Sequence, residues 1–184
     1  MTAIESINRI QQLLEGWRQL GHRTLANGVE FLAQMPGEDG AWMHCIFPRY
    51  DQVTIQALGE QLGAPLPPGL RTFYRCCGGM TLFSDLFVLY GARRSGLVYG
   101  DSAHQPEDIV ALNHGLDVFG WRPPTAIAFA RNAWDGSVHL AGMGRQPQEI
   151  VRCEAQTGHV IERHEDVFAC VAARLYRLDQ LYVN

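Results

Sequence analysis

Between Ala126 and Arg163 four short segments with strand character, Ala126 to Ala130, Ser137 to Ala141, Glu149 to Cys153 and His159 to Arg163, follow one another at close intervals. Asp135-Gly136 and Thr157-Gly158 mark turns between them. A parallel crossover needs a dozen or more residues, so this spacing admits only an antiparallel meander. Helical patterns come before it and one comes after. Ile4, Ile7, Ile10, Leu14 and Trp17 recur at steps of three and four behind Thr2-Ala3-Ile4-Glu5, whose spacing is that of a capping box, and predict a helix ending near Gly21. Leu25 to Met35 is expected as a second, short helix, Pro36-Gly37-Glu38-Asp39-Gly40 as a turn, and Ala41 to Phe47 as a strand.

Val53, Ile55, Leu58 and Leu62 predict a helix over Gln52 to Leu62 that Gly63 closes. In the elbow Leu66-Pro67-Pro68-Gly69-Leu70 a proline can take the first helical position, and Leu70, Phe73 and Tyr74 then line one face until Gly78-Gly79. Pro106-Glu107-Asp108 opens a further helix, expected to carry Ile109 and Leu112 on one face and to end at Gly115. The last helix is expected over His164 to Leu178, burying Val167, Phe168, Val171, Leu175 and Leu178. Helices first, then a meander, then a closing helix predict an α+β fold: a mostly antiparallel, mixed sheet with helices packed against it. At about 150 residues per domain, 184 residues make one domain with room for an extension. Residues 1–40 are expected as an N-terminal helical extension and 41–184 as the main domain.

The Lys+Arg total of 15 consists entirely of arginine. Without lysine there is no P-loop, no kinase strand lysine and no amine for a Schiff base. A net charge of −4, with Arg93-Arg94 as the one adjacent arginine pair, argues against nucleic-acid binding. No apolar stretch approaches the 18 or so residues of a membrane span, and Glu5 and Glu15 break the pattern of a secretory leader. Cys45, Cys76, Cys77, Cys153 and Cys170 are odd in number and contain no CxxC pair, which favours a reducing compartment, the cytoplasm.

His159, Glu162, His164 and Asp166 form the densest set of metal-ligand types. A metalloprotease helix needs a second histidine four residues after the first, but Phe168 stands there, and Glu165 and Asp166 suit a helix N-terminus. Cys76 and Cys77 end a helix, where the dipole disfavours a thiolate, and are expected to fill the core beside a glycine stop. Gly142-Met143-Gly144 lacks the third glycine of a dinucleotide loop because Pro147 occupies its place. There is no GxSxG elbow, and His22, His44, His104, His114 and His139 have no nucleophile or paired acid nearby in sequence. No catalytic, cofactor-binding or metal-binding residue is therefore assigned. Trp121 and Trp134, in expected loops, are the candidates for partner contact.

The run from Leu58 to Tyr74 with Gly78-Gly79 resembles the signature of the SUKH superfamily, which contains bacterial immunity proteins and Smi/Knr-like fungal regulators of cell-wall synthesis. Glu60, Leu66, Pro67, Phe73, Gly78 and Gly79 match its pattern, and Cys77 departs from it, standing where the family usually has asparagine. Ala128-Phe129-Ala130 followed by Asp135-Gly136 looks like the family's strand and acidic-glycine turn, and His164 to Leu175 like its closing helix. The similarity spans about residues 50 to 178, and the matched residues are structural. It implies a non-enzymatic protein-binding domain, above all an immunity protein that blocks a polymorphic toxin by direct binding. An intracellular regulatory or scaffolding module with the first helix as docking element is the alternative. A small metal-dependent hydrolase using His159 and His164 is the third reading.

Overall fold

Chain order and sheet order coincide. In the computed structural model, which describes residues 3–38, 40–93 and 104–182, the strands are β1 (His22–Thr24), β2 (Glu30–Gln34), β3 (Trp42–Phe47), β4 (Gly79–Leu82), β5 (Phe87–Leu89), β6 (Ile127–Asn132), β7 (Val138–Ala141), β8 (Ile150–Cys153) and β9 (Val160–His164). They lie side by side in that order in one sheet, and every neighbouring pair is antiparallel. Five helices accompany the sheet among the described residues: α1 (Ala3–Gln19), α2 (Gln52–Gln61), α3 (Pro68–Cys76), α4 (Ile109–Asp117) and α5 (Val167–Tyr182). The fold is α+β, with helices packed against an antiparallel sheet. Thr2 of the capping box, Asp39 of the turn and Arg94 of the arginine pair lie outside the described residues.

Period-two alternation divides the strand residues between two cores. Ile127, Phe129, Ala141 and Ile150 face the larger one, with Ile55 and Leu58 of α2, Leu70 and Phe73 of α3, and Val171 and Leu175 of α5. Ala128, Val138, Leu140, Val151 and Cys153 face a smaller one, closed by Leu112 and Leu116 of α4 and by Trp121. α1 belongs to the larger core. Its Trp17 is 2% exposed, stacks on His44 at 3.8 Å between ring centroids, and donates from Nε1 to Asp179 Oδ1 of α5 at 2.9 Å.

The expected helix over Leu25 to Met35 is instead the turn and second strand of a hairpin. Leu25, Val29 and Leu32 mimic helical spacing, but Asn27-Gly28 is a hairpin turn: Gly28 has φ +83° and the Leu25 amide donates to the Val29 carbonyl at 2.9 Å. Because β2 pairs with β3, the sheet runs unbroken across residue 40. α4 passes through Gly115 to Asp117. His164 ends β9, and α5 starts at Val167 behind Asp166, whose Oδ1 accepts from the Ala169 amide at 2.8 Å. Of the apolar residues that mark α2, Ile55 and Leu58 are buried, whereas Val53 is 75% exposed.

Gly78 and Gly79 are required for close approach. A Cβ on Gly78 would lie 2.3 Å from the Pro48 carbonyl oxygen, and one on Gly79 (φ +138°) 2.7 Å from that of Leu89. Tyr50 fixes the same spot, its hydroxyl donating to the Gly78 carbonyl at 2.6 Å and accepting from the Ala92 amide at 2.8 Å. Tyr50→Phe leaves that amide without its partner, so a loss of about 1–3 kcal/mol is expected in urea unfolding. An unchanged midpoint would mean that water replaces the hydroxyl.

Candidate functional site

On the α5 side of β6 to β9 the apolar face gives way to a polar island. Asn132, His139, Arg152, Glu162 and His164 take the positions that would otherwise face the core, and α5 supplies Cys170 and Arg174, one turn apart. His139 and Cys170 are fully buried and Asn132 nearly so. Arg152 organises the island. Its Nη2 pairs with Asp135 Oδ2, its Nε donates to Ser137 Oγ at 2.9 Å, and its Nη1 lies 3.3 Å from Glu162 Oε2.

The hydrogen-bond polarity runs inward from Arg174, whose Nη2 donates to Asn132 Oδ1. Asn132 therefore turns Nδ2 toward Ser137 Oγ at 2.8 Å and His139 Nε2 at 3.1 Å. His139 Nε2 must accept, so its hydrogen sits on Nδ1, 3.1 Å from Cys170 Sγ. Burial, then the charges of Arg174, His164 and Arg152, push the His139 pKa well down. His164 is lowered for the same reasons, with Glu162 opposing. Burial pushes the Cys170 thiol up.

The island braces the β6–β7 turn from inside. The Asn132 amide donates to the Ser137 carbonyl and the Gly136 amide to the Asn132 carbonyl, both at 2.9 Å, with Gly136 at φ +68°. Asp135 Oδ1 accepts from the Ser137 amide at 2.9 Å. Burial raises the Asp135 carboxyl, but its bonds to Ser137 and Arg152 outweigh that and hold it below the usual range. At the tip of this tied turn Trp134 is 80% exposed. Beside it runs a groove of about 700 Å³ lined by Tyr90, Leu112, Leu116, Phe119, Arg131 and Gly136, among others.

Trp121 is placed differently from Trp134. Its ring is packed over Gly158, where a Cβ would come within 2.6 Å of it, and its Nε1 donates to the Ala155 carbonyl at 2.9 Å. Of the four metal-ligand types singled out, only Glu162 and His164 come together, Oε2 to Nε2 at 3.7 Å. His159 is exposed on the β8–β9 turn, and Asp166 caps α5. The partners His164 does find are His139, with ring centroids 6.2 Å apart, and Cys170. Neither stands out in sequence, because each reads as an ordinary core residue on its own element. Cys77 is buried in extended backbone at φ −154°, its thiol pushed up to about 12 by burial, and Cys76 is exposed. Leu66 and Phe73 are buried, whereas Glu60 is on the surface and accepts from Gln56 Nε2 at 3.1 Å.

The buried histidines give folding a definite pH dependence. Burial pushes His44 down to about 3, and His139 and His164 are lowered too. A histidine held neutral by the fold protonates first in the unfolded chain. Stability is therefore full above about pH 6.5 and falls as the pH drops toward 3, by up to about 1.4 kcal/mol per pH unit for each such group. Urea midpoints measured between about pH 7 and about pH 5 should fall steadily. A flat profile would place these rings in water.

Among the described residues no helix is long and apolar enough to cross a membrane. No protein-family model matches the chain, and no curated protein matches it in sequence.

Proposed function

We propose that this chain is a non-enzymatic protein-binding domain that grips its partner with the β6–β7 hairpin, and that the partner is a toxin domain neutralised in the cytoplasm. The observation that carries the reading is the exposure of Trp134 on a turn tied by Asn132, Asp135, Gly136 and Ser137 and backed by Arg152. A large ring carried on a fixed turn has few rotatable bonds to immobilise on binding and buries much area, which is what an interface anchor needs. Phe119, nearly half exposed, lines the adjoining groove and extends the apolar surface.

Two titratable groups of the groove are poorly suited to acid–base work. Asp135 is ionised and tied to Arg152 and Ser137, and burial pushes the Tyr90 phenol up, so neither serves as a base near neutral pH. Toxin neutralisation rests on the resemblance carried by Leu66, Pro67, Phe73 and the Gly78-Gly79 pair. The docking-helix alternative is disfavoured because α1 commits Trp17 to the core.

Co-expression tests the reading. A growth-inhibiting product of a gene adjacent to this one should be tolerated by cells that also make this chain, and the two should co-purify in a fixed ratio. Continued growth arrest with both proteins present would overturn it.

A further inference from the structure

We propose that His139, His164 and Cys170, brought together by β7, β9 and α5, hold a structural thiophilic cation of the zinc class, with Glu162 as fourth donor. One donor atom from each of the three residues lies within 4.8 Å of the others. Two imidazoles and a thiolate are the donor set that zinc selects, and a carboxylate completes four-coordination. A second observation points the same way. His164 Nε2 is buried, on a side chain only 7% exposed, and has no hydrogen-bond partner; the nearest acid, Glu162 Oε2 at 3.7 Å, is beyond hydrogen-bond reach. A buried nitrogen left unpaired is costly, and a metal ion would use its lone pair.

The surroundings set what loading requires. Two guanidiniums, Arg152 and Arg174, oppose a cation, but Arg152 is already paired with Asp135 and Glu162. A thiolate on Cys170 supplies negative charge for Arg174, one helical turn away. The ion takes the place of the hydrogen that His139 Nδ1 now directs at Cys170 Sγ, and one proton is released from the thiol. The ring then carries its hydrogen on Nε2, so Asn132 turns its carboxamide to accept it and frees Arg174 toward the thiolate. Such an outer contact fixes the orientation of a metal-bound histidine. With the side chains of His139, His164 and Cys170 buried and the partly exposed Glu162 filling the fourth position, the ion would clamp β7, β9 and α5 together and have no open position for a substrate.

Cobalt(II), which takes the place of zinc and reports its ligands by colour, is the probe. Untagged protein titrated with cobalt(II) should bind one equivalent, with a near-ultraviolet thiolate-to-metal band and intense tetrahedral visible bands, and zinc(II) should displace it. Both signals should vanish in Cys170→Ser and weaken at least tenfold in affinity in His164→Gln, while His159→Gln, on the exposed turn, should match the parent. If Cys170→Ser does not fold, His164→Gln at the rim of the island and His159→Gln still decide the matter. Absence of the thiolate band in the parent, or a band that survives His164→Gln at full affinity, would overturn the proposal.

Discussion

Trp17→Ala should lower the free energy of unfolding by about 3–5 kcal/mol, the range for deleting a large buried aromatic ring. That is a large share of the 5–15 kcal/mol by which a domain of this size is stable. The ring does three things at once. It fills the space between α1 and the sheet, stacks on His44 at 3.8 Å and meets Phe83 edge-on at 5.3 Å, and its N–H bonds Asp179 at the far end of the chain. Alanine removes all three and leaves a cavity in the larger core. Urea unfolding and near-ultraviolet circular dichroism check this. A loss below about 1 kcal/mol would mean that α1 is an appendage, since surface substitutions stay within about 0.5 kcal/mol.

How much of this fold is legible in the sequence depends on where each turn gets its conformation. The hairpins after Ala126 are readable because Gly136 and Gly158, both at positive φ, announce them. The β4–β5 hairpin is not, because its turn runs through Phe83, Ser84 and Asp85 at φ +53°, +51° and +74°, and none of these is glycine or asparagine. Phe83 tolerates that strain while its ring is packed against Trp17 and His44, a tertiary contact that no local pattern reports. The helical pattern over β2 has a different origin. Leu25, Val29 and Leu32 satisfy helical spacing, yet Leu25 and Val29 pack with Phe47 in a small core of their own and Leu32 enters the main one.

The site was legible only at its surface. Trp134 next to Asp135-Gly136 can be read as an aromatic ring on a turn, and it is one. The island behind it cannot be read, because Asn132, His139, Arg152, Glu162, His164, Cys170 and Arg174 come from four strands and a helix and meet only through register. His139 opposes Arg152, and Arg152 opposes Glu162. A bulge between Arg152 and Cys153 shifts the pairing beyond that point. Each of these polar residues alone looks like a solvated or singly satisfied side chain.

Trp134→Ala is the second large expected effect, and it falls on binding alone. Replacing a central aromatic anchor costs an interface about 2 kcal/mol or more, roughly a 30-fold loss of affinity. The fold should not register it, because the ring is 80% exposed and the turn beneath it is held by backbone bonds and by Asp135, Ser137 and Arg152. Val53→Ala, equally apolar and 75% exposed but on α2, is the matched control. The measurement that tests the account most directly is the dissociation constant of the toxin domain proposed as partner for the parent, Trp134→Ala and Val53→Ala proteins, with their urea midpoints taken alongside. The account predicts weakening of about 30-fold for Trp134→Ala alone, with all three midpoints alike. Equal affinity of Trp134→Ala and parent would contradict it and move the interface away from the β6–β7 hairpin.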